Sequence, residues 1–132
     1  MNTKQEKGIQ GSEDMLEILK PDFEFSDDRG KLVQLVHDGY KQINVVHSKA
    51  GTFRGGHCHR LNREGFYIIE GSLELTVKKD GLEEKYTFCA GDMFVIDAYV
   101  YHDFLYLKDT VLVGMYDNGV ELENGEKDIV AE

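Results

Sequence analysis

An all-β sandwich or barrel is the fold this sequence predicts, on three observations. From Phe23 onward, apolar and polar residues alternate in short runs, the period of strands rather than helices. Turn residues punctuate those runs, with 14 glycines against one proline. Before Pro21 lies the one stretch with a helical pattern, too short to change the class. A chain of 132 residues suits one domain with one core.

The elements follow in order. Residues 1 to 11 are polar, with two glycines. Next comes SEDMLEILKPD, read as one short N-terminal helix. Ser12 caps it, Glu13 and Asp14 sit in its first turn, and Met15, Leu16, Ile18 and Leu19 give it an apolar side that Pro21 stops. Phe23 and Phe25 then open a strand. The turn SDDRG leads to Leu32–Val36, and Gln42–Ser48 is a third strand. GTFRGGHCHRLNREGFYIIEG supplies two more. SLELTVKKDGLEEKYTF is a hairpin turning at Asp80-Gly81, a pair suited to positive φ. MFVI, DFLYL and VLVGMY complete the set. The resulting division is a tail and helix over 1–21, a barrel over 22–116, and an acidic C-terminal tail over 117–132. That tail is either an edge strand around Val120–Leu122 or a solvated end. Residues 22–48 are apolar on more than one side, so a homodimer is expected to cover them.

A net charge of −10 excludes a sequence-independent nucleic-acid binder and an anionic membrane surface as partner. No apolar run has the length of a membrane span, and the first residues lack the apolar stretch of a signal peptide, so the expected location is the cytoplasm. Cys58 and Cys89 are the two cysteines. In that compartment they are read as unpaired, with Cys58 a packing residue.

The candidate site lies in Gly51–Gly71. His57 and His59 are two apart, so on a strand they share one face. Glu64 follows after RLNR, long enough to reverse the chain. Two adjacent strands then aim two imidazoles and a carboxylate at one point, a ligand set for a divalent metal. Gly91–His102 offers a fourth ligand, His102. Fe, Mn, Ni, Co or Zn is the expected cofactor, one ion per chain. The same residues would also serve as a hydrogen-bonded lining without metal. Phe66 shares the inward face with Glu64, and Tyr99, Tyr101 and Tyr106 flank His102, with Tyr101 favoured as a lining residue.

These stretches resemble the paired motifs of the cupin superfamily over roughly residues 22 to 116. Gly51, five residues, His57-Cys58-His59, four residues, Glu64, six residues and Gly71 match the first motif without departure. In the second, Gly91 and His102 fit, while Asp97, Tyr99 and Tyr106 replace the usual proline, glycine and asparagine. The resemblance implies a single antiparallel jelly-roll barrel, the double-stranded β-helix, holding a metal on His57, His59, Glu64 and His102.

Four arginines occur, and Arg54, Arg60 and Arg63 fall inside the first motif, which suits an anionic or sugar-like small-molecule substrate. Asp28-Arg29-Gly30 and Arg54-Gly55-Gly56-His57-Cys58-His59 also resemble patterns in cupins that epimerise or isomerise nucleotide-linked keto-sugars. Carried over, Arg29 and Arg54 would hold a diphosphate and His57 would be the catalytic base. A metal on His57 would transfer that role to His47 or a tyrosine such as Tyr101, with the metal polarising the ketone. The expected function is isomerase or epimerase of a nucleotide-linked keto-sugar. A metal-dependent dioxygenase and a non-catalytic module binding a sugar or small anion are the alternatives.

Overall fold

The computed structural model describes residues 15–132. Among these, strands are the regular elements: β1 (Leu16–Leu19), β2 (Phe23–Asp27), β3 (Gly30–Gln34), β4 (Gln42–Ser48), β5 (Phe53–Cys58), β6 (Glu64–Glu70), β7 (Ser72–Lys79), β8 (Leu82–Cys89), β9 (Met93–Ile96), β10 (Tyr101–Tyr106), β11 (Thr110–Tyr116) and β12 (Val130–Ala131). They form one sheet in the order β1-β9-β6-β11-β4, a second in the order β12-β5-β10-β7-β8, and a separate β2-β3 hairpin. Every named pairing is antiparallel.

From β4 to β7 the chain alternates between the two sheets, and it alternates again from β8 to β11. That is a jelly-roll-like path. The sheets remain two layers with free edges, so the single closed barrel is corrected to a sandwich. Among the described residues no helix is long and apolar enough to cross a membrane.

The core lies between the sheets and is aromatic at its centre. Phe94 stacks on Phe88 at 4.1 Å and on Phe66 at 5.1 Å, and Phe104 meets Phe66 edge-on at 5.0 Å. Ile68, Leu73, Leu75, Val77 and Phe94 have no exposed surface. The β7–β8 hairpin turns at Asp80 (φ 52) and Gly81 (φ 81), as its sequence predicts.

The N-terminal helix is also corrected. Ser12, Glu13 and Asp14 lie outside the described residues, and Leu16–Leu19 is a strand pairing with β9, Leu16 opposite Ile96 and Leu19 opposite Met93. Leu16 and Ile18 pack on the main core, while Leu19 joins a second cluster with Met93 and Met115. An edge strand thus uses both its faces, and its apolar positions mimic a helical stripe. Four residues make too short a helix to outweigh the ladder that β9 offers.

The β2–β3 hairpin bonds as a sheet only to itself and leaves Phe23, Phe25 and Leu32 about half exposed. Ile43 and Val45 on the edge strand β4 are exposed as well. Residues 117–132, read as an acidic tail, fold back on the sandwich. Glu121 bridges to Lys127, Val120 and Asp128 are buried, and β12 pairs with β5.

Candidate functional site

The histidine cluster is built where β5, β6, β10 and β11 meet. β10 sets His102 directly opposite His57 on β5, then shifts register between His102 and Asp103. Gly55 permits this approach. Its φ is +118, and a Cβ there would lie 2.6 Å from the His102 carbonyl oxygen. β11 places Tyr116 opposite Glu64, the first residue of β6. Tyr99, standing where glycine is usual, keeps a glycine-like φ of 68, and its N–H donates to the His59 carbonyl at 2.7 Å. Asp97, where proline is usual, pairs with Arg63 at 2.9 Å.

The three imidazoles have ligand atoms within 4.8 Å of one another. Their ring centroids are 4.8 to 5.5 Å apart. Glu64 Oε1 lies 3.1 Å from His59 Nε2 and 3.3 Å from His102 Nε2, all deeply buried. Neither contact has the alignment of a hydrogen bond, so closeness to the carboxylate charge rather than direction holds the cluster. The far side of each ring is fixed by backbone. His59 Nδ1 donates to the Asp128 carbonyl at 2.6 Å and His102 Nδ1 to the Val100 carbonyl at 3.0 Å.

The charges follow from this packing. Burial pushes Glu64 up, but the close approach of His102 and His59 to its carboxylate outweighs it and holds the carboxyl at about 2. Burial pulls His59 down, yet its contact with Glu64 leaves it raised. His57 is lowered, first by burial and then by His102 and His59, so this ring favours its neutral form. Tyr116 is pushed far up by burial, by the charge of Glu64 and by a hydrogen bond to it.

A cavity of about 170 Å³ opens beside the cluster. His57, Glu64, Phe66, His102 and Tyr116 line one part of it, and Arg54 and Tyr106 another. Arg54 Nε donates to Ser48 Oγ at 2.9 Å, and Tyr106 also bonds Ser48. The guanidinium is therefore oriented by a neutral hydroxyl rather than cancelled by a carboxylate.

The structure thus brings together His57, His59, Glu64, His102, Arg54 and Phe66. Three residues named from sequence stand elsewhere. His47 points out of the cavity because its neighbour Val46 points in, and strand alternation sends them to opposite faces. Tyr101 lies outside, near Cys58 and Glu132. Arg29 sits on the β2–β3 turn, 82% exposed, with its Nε 3.0 Å from Asp27. Arg63 bridges Asp97 and Glu17. Tyr116 was missed by sequence reasoning, and Tyr106 was noted only as a flanking residue. The alternation of VLVGMY marks Tyr116 as a possible inward position, but its place opposite Glu64 depends on a strand register that local pattern does not give.

The model of a family described as the polysaccharide biosynthesis C-terminal domain matches residues 25–115. No curated protein matches the sequence significantly. Among solved structures, the QdtA sugar 3,4-ketoisomerase from Thermoanaerobacterium thermosaccharolyticum in complex with TDP is similar at 16% identity and TM-score 0.74, over 89% of this chain and 88% of that one. WlaRB, a TDP-quinovose 3,4-ketoisomerase from Campylobacter jejuni, is similar at 13% identity and TM-score 0.76, over 89% and 92%. A dTDP-4-dehydrorhamnose 3,5-epimerase from Bacillus anthracis with TDP and PPi bound is similar at 22% identity and TM-score 0.63, over 77% and 71%. These likenesses establish the cupin-like fold.

They also overturn the cofactor expected from sequence. Enzymes of this kind act without a metal cofactor, and the ligands named on these relatives are TDP, a TDP-keto-sugar and PPi. The motif spacing that read as a metal shell specifies here a buried histidine–carboxylate cluster, in which Glu64 engages two histidines directly.

Proposed function

The chain belongs to the polysaccharide biosynthesis C-terminal domain family, and from that premise we propose that it isomerises or epimerises a nucleotide-linked keto-sugar by proton transfer. One observation carries the reading. A histidine that favours its neutral form, His57, shares a cavity of about 170 Å³ with an arginine that has no carboxylate partner among the described residues, Arg54. That volume takes a sugar ring but not a nucleotide. The nucleotide would lie outside, with its diphosphate on Arg54.

The chemistry follows from the charges. A carbon next to a ketone loses a proton when a base removes it and a donor stabilises the enolate oxygen. His57 suits the first task. Tyr116, still protonated at neutral pH, suits the second by turning its one O–H from Glu64 to the enolate oxygen. Return of the proton to the same carbon from the other side gives epimerisation; return to the former carbonyl carbon, with the hydroxyl proton of the first carbon passing to the former ketone oxygen, gives isomerisation. Phe66, with Phe104 against it, walls the cavity and excludes water. The dioxygenase reading falls with its metal.

We also propose a homodimer, because Phe23, Phe25, Leu32, Ile43 and Val45 leave the hairpin and the β4 edge apolar and uncovered. Light scattering at micromolar concentration should give twice the chain mass, and a monomer contradicts this. The cytoplasm, where such a substrate would be met free, is the proposed location. Function is tested by titrating TDP and TDP-4-keto-sugars, then following the sugar by NMR. Binding with conversion to an isomer supports the reading. Binding without turnover points to the non-catalytic module, and no binding at millimolar concentration overturns the nucleotide-sugar assignment.

A further inference from the structure

We propose that Ser48 is a positioning residue for the anion grip. It takes the side edge of the Arg54 guanidinium and so leaves the end pair of N–H groups for a ligand with two anionic oxygens. That this ligand is a nucleotide diphosphate rests on the function proposed above, whereas the positioning is independent of it.

Arg54 faces the cavity because β5 is irregular. It lies three residues before His57, and strict alternation would send the two to opposite faces. The pairing instead runs from His102 with His57 to Asp103 with Gly55, which leaves Gly56 as an extra residue. Arg54 then stands opposite Phe104, which lines the cavity, where a regular ladder would set it opposite Leu105. A long side chain brought to the cavity in this way still has many rotamers open to it.

Ser48 closes that freedom from the other sheet. It is the last residue of β4, shares a face with the cavity-lining Val46, and is 7% exposed. Its Oγ accepts the Arg54 Nε–H at 2.9 Å, and the neighbouring His47 carbonyl accepts from Nη2 at 3.4 Å. Nε and Nη2 form one edge of the planar fork. With that edge on β4, both N–H groups of Nη1 and one of Nη2 stay unbonded among the described residues. They are the bidentate end suited to two phosphate oxygens. Tyr106 bonds Ser48 from β10, so the residue standing where asparagine is usual braces the serine. The backbone around Ser48 is held separately. Ser48 pairs with Thr110 on β11, the Gly51 N–H donates to the Tyr106 carbonyl at 2.7 Å, and the Thr52 N–H donates to the Lys49 carbonyl at 3.0 Å. Removing the hydroxyl therefore frees Arg54 without freeing the loop.

The test uses the full chain labelled with nitrogen-15, in which four arginines give four Nε–H signals. Arg54 Nε–H should exchange with water more slowly than that of Arg60, which donates through its backbone N–H alone among the described residues. In Ser48→Ala the Arg54 signal should lose that protection, and in Ser48→Thr it should keep it. The signals of Arg29 and Arg63, held by Asp27 and Asp97, should not change. TDP affinity should fall roughly three- to ten-fold in Ser48→Ala, because a freed arginine must be ordered on binding. In an Arg54→Ala background the same change should cost nothing, since Ser48 acts only through the guanidinium. Unchanged protection of Arg54 in Ser48→Ala overturns the proposal. So do losses that add in the double variant, because they place Ser48 on the ligand or in the fold alone. If Ser48→Ala does not fold, wild type decides. Exchange at Arg54 as fast as at Arg60 overturns the proposal, and protection that persists with TDP bound supports it. Should wild type bind no TDP while the Arg54 signal responds as described, the nucleotide-sugar reading fails and the positioning stands.

Discussion

Two regions share the space between the same pair of sheets and are filled in opposite ways. Around β7, β8 and β9 the inward positions are Leu73, Leu75, Phe88 and Phe94, dry and stacked. Around β5, β10 and β11 they are His57, His102 and Tyr116, with Glu64 at the start of β6. Strand β6 passes from one region to the other within five residues, from Glu64 through Phe66 to Ile68. The alternation is the same throughout, and only the residue types change. The scaffold therefore supplies positions while the chemistry comes from a few substitutions along shared strands, each of which must then be satisfied by backbone or charge.

Emptying the dry region should cost the most. Phe94→Ala is expected to lose about 3–5 kcal/mol of stability in denaturant titration. The protein that stays folded should still bind TDP, because Phe94 does not line the cavity. Loss of TDP binding by the folded fraction would show that the two regions are coupled through Phe66.

In the polar region the corresponding change is Glu64→Gln. It removes the carboxylate that two buried histidines face, and breaking a buried pair costs about 3–5 kcal/mol at most. Its diagnostic is the pH profile. Glu64 has a folded pKa of about 2 against 4.5 ordinarily, so its contribution is present above pH 4.5 and lost as pH falls toward 2. His57, also lowered, adds a loss that begins as pH drops below 6.5. His59 is raised, so its contribution is complete below pH 6.5 and lost as pH rises through its higher folded value. Urea midpoints measured from pH 3 to 9 should show the wild type weakening toward both ends. Glu64→Gln should flatten the profile below pH 4.5 and remove the alkaline loss that His59 contributes. An unaltered profile contradicts the charge assignment.

Smaller effects separate grip from chemistry. Arg54→Lys should weaken TDP binding roughly ten-fold, about 1.4 kcal/mol, without a change in melting temperature, because a point charge does not replace a planar fork. His47→Ala should change stability by less than about 0.5 kcal/mol and leave turnover intact, since the ring faces away from the cavity. Reduced turnover in that variant would mean the outward face of β4 takes part.

The sequence disclosed the all-β class and the histidine–carboxylate group, because strand period and motif spacing are local properties. His57, His59, Glu64 and His102 are together where spacing put them. It disclosed less wherever the answer depends on what lies across a sheet. Met15–Leu19 has apolar positions compatible with a helix, and only the free edge of β9 makes it a strand. His47 and Tyr101 were plausible until register assigned their faces, and Tyr116 became visible only opposite Glu64. The metal was inferred from donor types, which are the same for an ion shell and for a charged hydrogen-bonded cluster. Asp128, acidic and near the end of the chain, gave no sign that it would be buried beneath a loop around residue 61.

The central claim is that the polar region moves a proton on a keto-sugar, with His57 as base. The direct measurement is NMR of a TDP-4-keto-sugar in deuterium oxide with the protein and with His57→Asn. The account predicts that wild type places deuterium on the carbon next to the ketone, while His57→Asn binds TDP as well as wild type and places none. Equal deuterium incorporation by the two proteins, or none by wild type with the sugar bound, would contradict it.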